Sequence, residues 1–267
     1  MQTLSEIRTI LADRGLHPKK ALGQNFLHDQ NQLRRLLEAS GVGEGDLVLE
    51  VGPGTGTLTE SLLDRGCEVV ACELDRDLAA ILEERLGDRI TLVRTDCLDD
   101  HRTLSATLEE ALSGRPFTLV SNLPYGAASP LMCLLAARAE CQGQHVTIQR
   151  EVADRLLAGP GTKAYGSLSI FVAALASVRK VGILPPGCFW PPPKVDSAIV
   201  SITPHDKPMV EDPEAFGRFL QGIFSRRRKQ LGTIIGRDAP LPDGVSGTMR
   251  PEELSVESFV ALHALNG

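Results

Sequence analysis

Glu50-Val51-Gly52-Pro53-Gly54-Thr55-Gly56 is the stretch on which the fold turns. It follows the apolar run Leu47-Val48-Leu49 and precedes a helix-like pattern, Leu58, Leu62 and Leu63. A buried strand, a glycine-rich turn and then a helix is how α/β proteins place a nucleotide-like ligand at a strand's carboxyl end. The glycines let the backbone approach the ligand closely, and the helix N-terminus offers unpaired N–H groups to an anion.

Outward from this turn, strand and helix patterns alternate. The periodicity predicts strands over Leu47–Val51, Glu68–Glu73, Ile90–Arg94, Phe117–Ser121 and His145–Arg150. Between and after them it predicts helices over Thr57–Arg65, Asp77–Leu86, Leu104–Leu112, Ser129–Arg138 and Tyr165–Ser177. Such alternation implies right-handed βαβ units and a mainly parallel sheet with helices on both faces. Two further strands, Val178–Leu184 and Ser197–Thr203, are joined by a Pro-rich loop rather than a helix, which predicts an antiparallel edge hairpin on a seven-stranded sheet. The composition shifts after Pro204, so the expected division is a 1–204 α/β domain and a small helical domain at 205–267. Upstream, a helical period over residues 1–16 ends at Gly15, and an amphipathic helix covers Leu33 to Ala39. The mixed segment His17 to Leu27 lies ahead of the first strand and reads as a surface arm or as a lid over the ligand.

With 267 residues, 42% of them apolar and 23% charged, the chain is ordinary globular material. A net charge of −6 argues mildly against a polyanionic partner, but a local basic stripe such as Arg226-Arg227-Arg228-Lys229 could serve one. That run also reads as a solvated helix face. Six cysteines without a C-x-x-C pair read as small buried hydrophobes, and six dispersed histidines give no metal-ligand spacing, so no metal is expected. The longest greasy stretch, Leu168 to Val178, is too short to span a bilayer, and the N-terminus lacks an apolar signal core. The expectation is a cytoplasmic protein.

Three ligands compete for the glycine loop. A phosphate-binding P-loop needs Lys-Ser/Thr after its last glycine, and Thr57-Leu58 stands there instead. A dinucleotide fingerprint needs G-x-G-x-x-G, whereas this loop is G-x-G-x-G followed by Thr57. S-adenosylmethionine needs close backbone contact and polar groups but no pyrophosphate cradle. Glu73, at the end of the second strand, is placed to accept ribose hydroxyls from either of the last two. Asp96, after the third strand, could accept from an adenine's exocyclic amine.

The fourth strand ends in Ser121-Asn122-Leu123-Pro124-Tyr125 at the same sheet edge. An adenine amino nitrogen is a poor nucleophile because its lone pair is delocalised into the ring. The Asn122 side-chain carbonyl and the Leu123 main-chain carbonyl could accept both its N–H bonds and aim that lone pair at a methyl group. Leu123 is held extended by Pro124, and Tyr125 could stack on the base.

At these residues the chain resembles the rRNA adenine N6,N6-dimethyltransferases of the KsgA type, in the class I S-adenosylmethionine-dependent methyltransferase fold. The likeness includes Lys20-Ala21-Leu22-Gly23-Gln24-Asn25-Phe26-Leu27, Glu50 to Gly56, Asn122 to Tyr125, Gln149 to Val152 and Lys163 to Ser169. It continues through Phe189 to Ala198 and Phe224 to Lys229. The resemblance implies that Asn25, Leu27, Gly52, Glu73, Asp96 and Asn122 surround S-adenosylmethionine. It implies likewise that Tyr125 and Phe189 stack on the two faces of the target adenine. The implied substrate is a pair of adjacent adenines in the 3′-terminal hairpin of 16S rRNA, each receiving two methyls during assembly of the 30S particle by a monomeric enzyme. Arg226, Arg227, Arg228 and Lys229 in the C-terminal domain would hold the RNA backbone. Two alternatives remain: a large-subunit rRNA adenine methyltransferase of the antibiotic-resistance type, and an assembly factor whose methylation is dispensable. Thr57 and Asn122 disfavour a Rossmann oxidoreductase. Gly126-Ala127-Ala128 departs from the family's usual Asn-Ile-Ser, and Gln230 to Thr233 is less basic than usual.

Overall fold

A computed structural model of the chain describes residues 1–100 and 103–266. Its centre is β1 (Leu47–Val51), every residue of which is buried. A strand covered on both faces reads as the continuous apolar run seen in the sequence. On one side β1 pairs in parallel with β2 (Glu68–Cys72), which in turn pairs in parallel with β3 (Thr91–Val93). On its other side it pairs in parallel with β4 (Phe117–Asn122), and β4 with β5 (Cys141–Gln149). Of the last two strands, β6 (Ala176–Leu184) and β7 (Ser197–Pro204), the second pairs antiparallel with β5 and the first lies at the edge. The order is therefore β3-β2-β1-β4-β5-β7-β6, a mainly parallel sheet of seven strands as the sequence predicts. It reverses direction between β1 and β4, and in open α/β sheets the ligand crevice lies at such a switch point.

Helices α1 (Leu4–Ala12), α2 (Gln30–Ser40), α3 (Thr57–Leu63), α4 (Arg76–Leu86), α5 (Ala106–Leu112) and α6 (Tyr125–Ala136) accompany these strands. One core cluster joins Leu33, Leu36 and Leu37 of α2 to Val48, Val69 and Val120 of the sheet. A second joins Ile7, Ile10 and Leu11 of α1 to Phe26 and to Leu78 and Ile81 of α4. The N-terminal helix is thus packed against the elements flanking the glycine loop.

Among the departures from the sequence reading, three bear on the site or the sheet. Strand β5 begins at Cys141 because Gln142 and Gly143, which look like loop, continue the ladder to β4 through an irregularity beside Phe117. Helix α6 begins at Tyr125 and contains Pro130, so Gly126 and Pro130 are not the breakers they resemble. The segment His17 to Leu27 holds a short 3₁₀ turn, Lys20–Leu22, and a two-residue strand, Phe26–Leu27, paired antiparallel with Phe189–Trp190.

The single division after residue 204 also needs correction. The chain forms two compact units, Met1–Arg150 with Arg179–Ile202, and Glu151–Val178 with Thr203–Gly267. The second unit contains most of α7 (Arg150–Leu156), α8 (Ser167–Leu175), α9 (Pro213–Phe224), α10 (Leu231–Ile235) and α11 (Val256–Asn266). The reason is packing: Tyr165 is fully buried and its hydroxyl donates to the Leu254 carbonyl at 2.9 Å, and the Phe224 and Phe259 rings lie 5.6 Å apart. A composition shift marks where the chain leaves the sheet for the last time. It cannot show that an earlier excursion joins the same core.

Among the described residues no helix is long and apolar enough to cross a membrane, and no group of three or more His, Cys, Asp or Glu is placed to hold a metal. All six cysteines are free, five of them buried. Burial pushes the Cys97, Cys133 and Cys141 thiols up to about 12, as inert apolar cysteines require.

Candidate active site

The carboxyl ends of β1 to β4 open into a cavity of about 590 Å³, within the range of small-molecule sites. Its floor is the glycine loop. Gly52, Gly54 and Gly56 have φ of 73°, 63° and 89°, a left-handed backbone that favours glycine. At two of them space is equally limiting. A Cβ on Gly52 would meet Pro124 Cγ at 3.0 Å, and one on Gly54 would meet Phe26 Cε1 at 2.9 Å. The loop is thus pressed between the Asn122–Tyr125 turn and the N-terminal segment.

Glu73 is buried, and each of its oxygens is anchored: Gly54 N–H donates to Oε2 at 3.1 Å and Asp75 N–H to Oε1 at 2.8 Å. Burial raises its pKa, against these two backbone donors. The carboxylate keeps further acceptor lone pairs, and its orientation is fixed by the loop. Asp96, exposed at the cavity edge, accepts the Leu98 N–H at 3.1 Å.

Asn122 donates from Nδ2 to the Asn25 carbonyl at 3.0 Å, which turns its side-chain oxygen to the role of acceptor. Leu123 is anchored by its N–H to the Thr147 carbonyl at 3.1 Å, and Pro124 follows it. The Tyr125 hydroxyl shares a 3.2 Å hydrogen bond with Ser197 on β7. Asn25, Leu27, Gly52, Glu73, Asp96 and Asn122 all line this one cavity, as do Leu123, Pro124 and Tyr125.

Phe189 is different. It is 3% exposed, belongs to the core cluster with Leu27 and Leu33, and does not line the cavity, so the second stacking face expected of it is not presented in this conformation. Its strand register opposite Leu27 fixes it there. The Arg226–Lys229 run is a turn after α9 rather than a helix face. Arg226, Arg228 and Lys229 are exposed, but Arg227 is committed inside the unit. Its Nε donates to Glu252 Oε2 at 2.7 Å and its Nη2 to the Lys163 carbonyl at 3.1 Å.

Sequence reasoning missed a clamp beside the site formed by Lys19, Gln24, Asp75 and Asp77. Lys19 Nζ binds Asp75 Oδ1 at 2.8 Å and Asp77 Oδ2 at 2.7 Å, and Gln24 Nε2 binds Asp75 Oδ2 at 2.7 Å. Burial works against the Asp75 charge, but the hydrogen bonds from Lys19 and Gln24 outweigh it and hold the carboxyl below its usual range. The segment ahead of β1 is therefore clamped beside Glu73, which favours a lid over a loose arm. Asp75 could have been suspected as the N-cap of α4.

Glu50, 2% exposed, accepts the Thr59 hydroxyl at 2.7 Å, and burial pushes its pKa up to about 8. The folded protein thus keeps a proton that the unfolded chain releases near 4.5. Stability is unpenalised below that value, falls as pH rises through the interval to about 8, and then levels off, at up to about 1.4 kcal/mol per pH unit for one proton. Glu50→Gln should flatten this decline in urea unfolding at pH 5, 6.5 and 8. Parallel curves for the two proteins would refute a neutral Glu50.

Known proteins resemble this chain over most of its length. The family model for ribosomal RNA adenine dimethylase matches residues 15–264. A ribosomal RNA small subunit methyltransferase A from Leptothrix cholodnii is 39% identical, over 92% of this chain and 90% of its own. Among solved structures, the 23S rRNA methyltransferase ErmE superposes with a TM-score of 0.68 and 26% identity, covering 91% of this chain and 99% of its own. A dimethyladenosine transferase from Plasmodium falciparum gives 0.71 and 24%, covering 89% and 95%, and shares the fold.

Proposed function

Because the chain belongs to the ribosomal RNA adenine dimethylase family, we propose that its cavity holds S-adenosylmethionine beside an extruded adenine whose amine is presented by Asn122 and Leu123. The protein is an S-adenosylmethionine-dependent rRNA adenine dimethyltransferase, and its substrate is small-subunit rRNA. Support for the site comes from one observation: the Asn122–Tyr125 turn and the glycine loop, with Glu73 and Asp96, line a single cavity.

The residues fit the cofactor. Gly52 and Gly54 line the cavity with bare backbone, Glu73 accepts a ribose diol, Asp96 accepts from the adenine amine, and Asn25 and Leu27 line the same cavity. When bound, S-adenosylmethionine supplies an electrophilic methyl group on a sulfonium centre. The chain's own task is to position the nucleophile, which accounts for most of the catalysis in an in-line displacement. The Asn122 side-chain oxygen and the Leu123 carbonyl accept the two N–H bonds of the target amine and draw its nitrogen towards sp³. The amine becomes acidic as its new bond forms, so no dedicated general base is required. Tyr125 stacks on the base, its ring held by the bond to Ser197.

In the C-terminal unit, Arg226, Arg228 and Lys229 hold the RNA backbone, and Arg227 organises the turn that presents them. Replacing the first three by alanine should weaken RNA binding and lower its log–log salt slope by about 2–3. Arg227→Ala should instead lower the Tm with little change in slope. An unchanged slope in the triple variant would place the RNA surface elsewhere. The assembly partner is the 30S pre-ribosomal particle, on which the enzyme acts as a cytoplasmic monomer.

The direct test incubates the protein with labelled S-adenosylmethionine and small-subunit particles lacking the modification, followed by primer extension. Dimethyladenine is expected at two adjacent positions of the 3′-terminal hairpin. Methylation confined to large-subunit rRNA, or none at all, would overturn the assignment.

A further inference from the structure

Gln2, the second residue of the sequence, is only 3% exposed. Its side chain uses every hydrogen-bonding position of the amide. Nε2 donates to the Thr55 carbonyl at 2.9 Å and to Glu60 Oε1 at 3.1 Å. Oε1 accepts the hydroxyls of Thr55 at 2.8 Å and of Thr57 at 3.0 Å. Two donors and two acceptors are all an amide has, so the group is fully satisfied by the glycine loop and the first turn of α3.

We propose that Gln2 is a positioning residue for the cofactor, stapling the glycine loop into its binding conformation from outside the sheet. This rests on the cofactor reading above. The physical need is plain from the loop itself. Gly52, Gly54 and Gly56 are the residues with most conformational freedom to lose, and a loop that must be ordered by its ligand binds that ligand more weakly. Thr55 and Thr57 both line the cavity, and Gln2 is bonded to both. The Gly54 N–H is fixed independently by Glu73, so Gln2 restrains the part of the loop that follows it, Thr55 to Thr57. Helix α1 supplies the anchorage. Thr3 caps it with a reciprocal bond to Glu6, and Ile7, Ile10 and Leu11 pack with Phe26, whose ring faces Gly54. The N-terminal segment thereby braces the glycine loop at two places, through Gln2 and through Phe26.

Gln2→Met keeps the volume and removes all four bonds, and Gln2→Glu keeps the acceptors, loses both donors and faces Glu60. Both are made in the full chain, with Gly45→Ala as a control. Gly45 has φ of 82° and open space around it, so that change strains the backbone without touching the loop. The readouts are S-adenosylhomocysteine affinity by calorimetry, the Tm, and kcat at saturating cofactor. Leaving the loop's buried groups unpaired should weaken affinity about tenfold in both Gln2 variants, with kcat within about twofold of wild type. Gly45→Ala should lower the Tm and leave affinity unchanged. Wild-type affinity retained in both Gln2 variants would overturn the proposal alone. If the unaltered protein bound no S-adenosylhomocysteine, the cofactor reading would fall and this inference with it.

Discussion

Asn122→Ala is expected to lower kcat by about 10²–10³-fold or more while leaving RNA affinity near that of the unaltered protein. On the proposed mechanism the side-chain oxygen is one of two acceptors that define the direction of the target nitrogen's lone pair, and alanine offers no substitute. Its amide nitrogen also ties the turn to the Asn25 carbonyl, so a modest loss of cofactor affinity should accompany the loss of rate. Single-turnover methyl transfer at saturating S-adenosylmethionine separates the two effects, since only the first survives saturation. Asn122→Asp is the informative companion: it keeps the acceptor but cannot donate to Asn25, so it should retain more activity than alanine. Alanine and aspartate variants as active as the parent would remove Asn122 from the chemistry.

Gly52→Ala should be nearly as damaging, for a reason that sequence alone does not give. Its φ of 73° already costs a non-glycine residue about 1–2 kcal/mol. The added methyl would also sit 3.0 Å from Pro124 Cγ and 3.2 Å from Pro124 Cδ, in a ring fixed to its own backbone. Relief requires movement of either the glycine loop or the Asn122–Tyr125 turn, and both line the cavity proposed to hold the reacting groups. A displacement on the order of 1 Å at a reacting centre can cost roughly 100-fold in rate. The expected outcome is a lower Tm together with a loss of about 100-fold in kcat/KM. Gly45→Ala, strained but unobstructed, should lose stability without losing activity. A Gly52→Ala protein as active as Gly45→Ala would show that contact with Pro124 does not matter for activity.

Much of this molecule is legible in its sequence because the relevant signals are local. Strand β1 is a run of apolar residues that must be covered on both faces, and the glycines after it permit a turn open to few other residues. Parallel strands linked by helices leave little freedom in connection handedness, so Glu73, Asp96 and Asn122 were bound to emerge at one sheet edge. The cavity they line follows from that topology.

What stayed illegible depends on partners distant in the chain. Gln2 acquires meaning only from Thr55, Thr57 and Glu60, and Asp75 only from Lys19 and Gln24. Arg227 looks like its neighbours in a basic run until Glu252 and the Lys163 carbonyl claim it. Phe189 looks like a stacking aromatic until its register against Leu27 buries it. The residues 151–178 read as part of the sheet domain until Tyr165 reaches Leu254 in the second core.

The sequence by itself determined the sheet, its glycine turn and the type of chemistry at its edge, because hydrophobic period and backbone stereochemistry act over a few residues. Only the tertiary structure decided which polar side chains hold the glycine turn in shape. A hydrogen bond needs its partner within about 3 Å, and no local pattern records which distant residue will supply it.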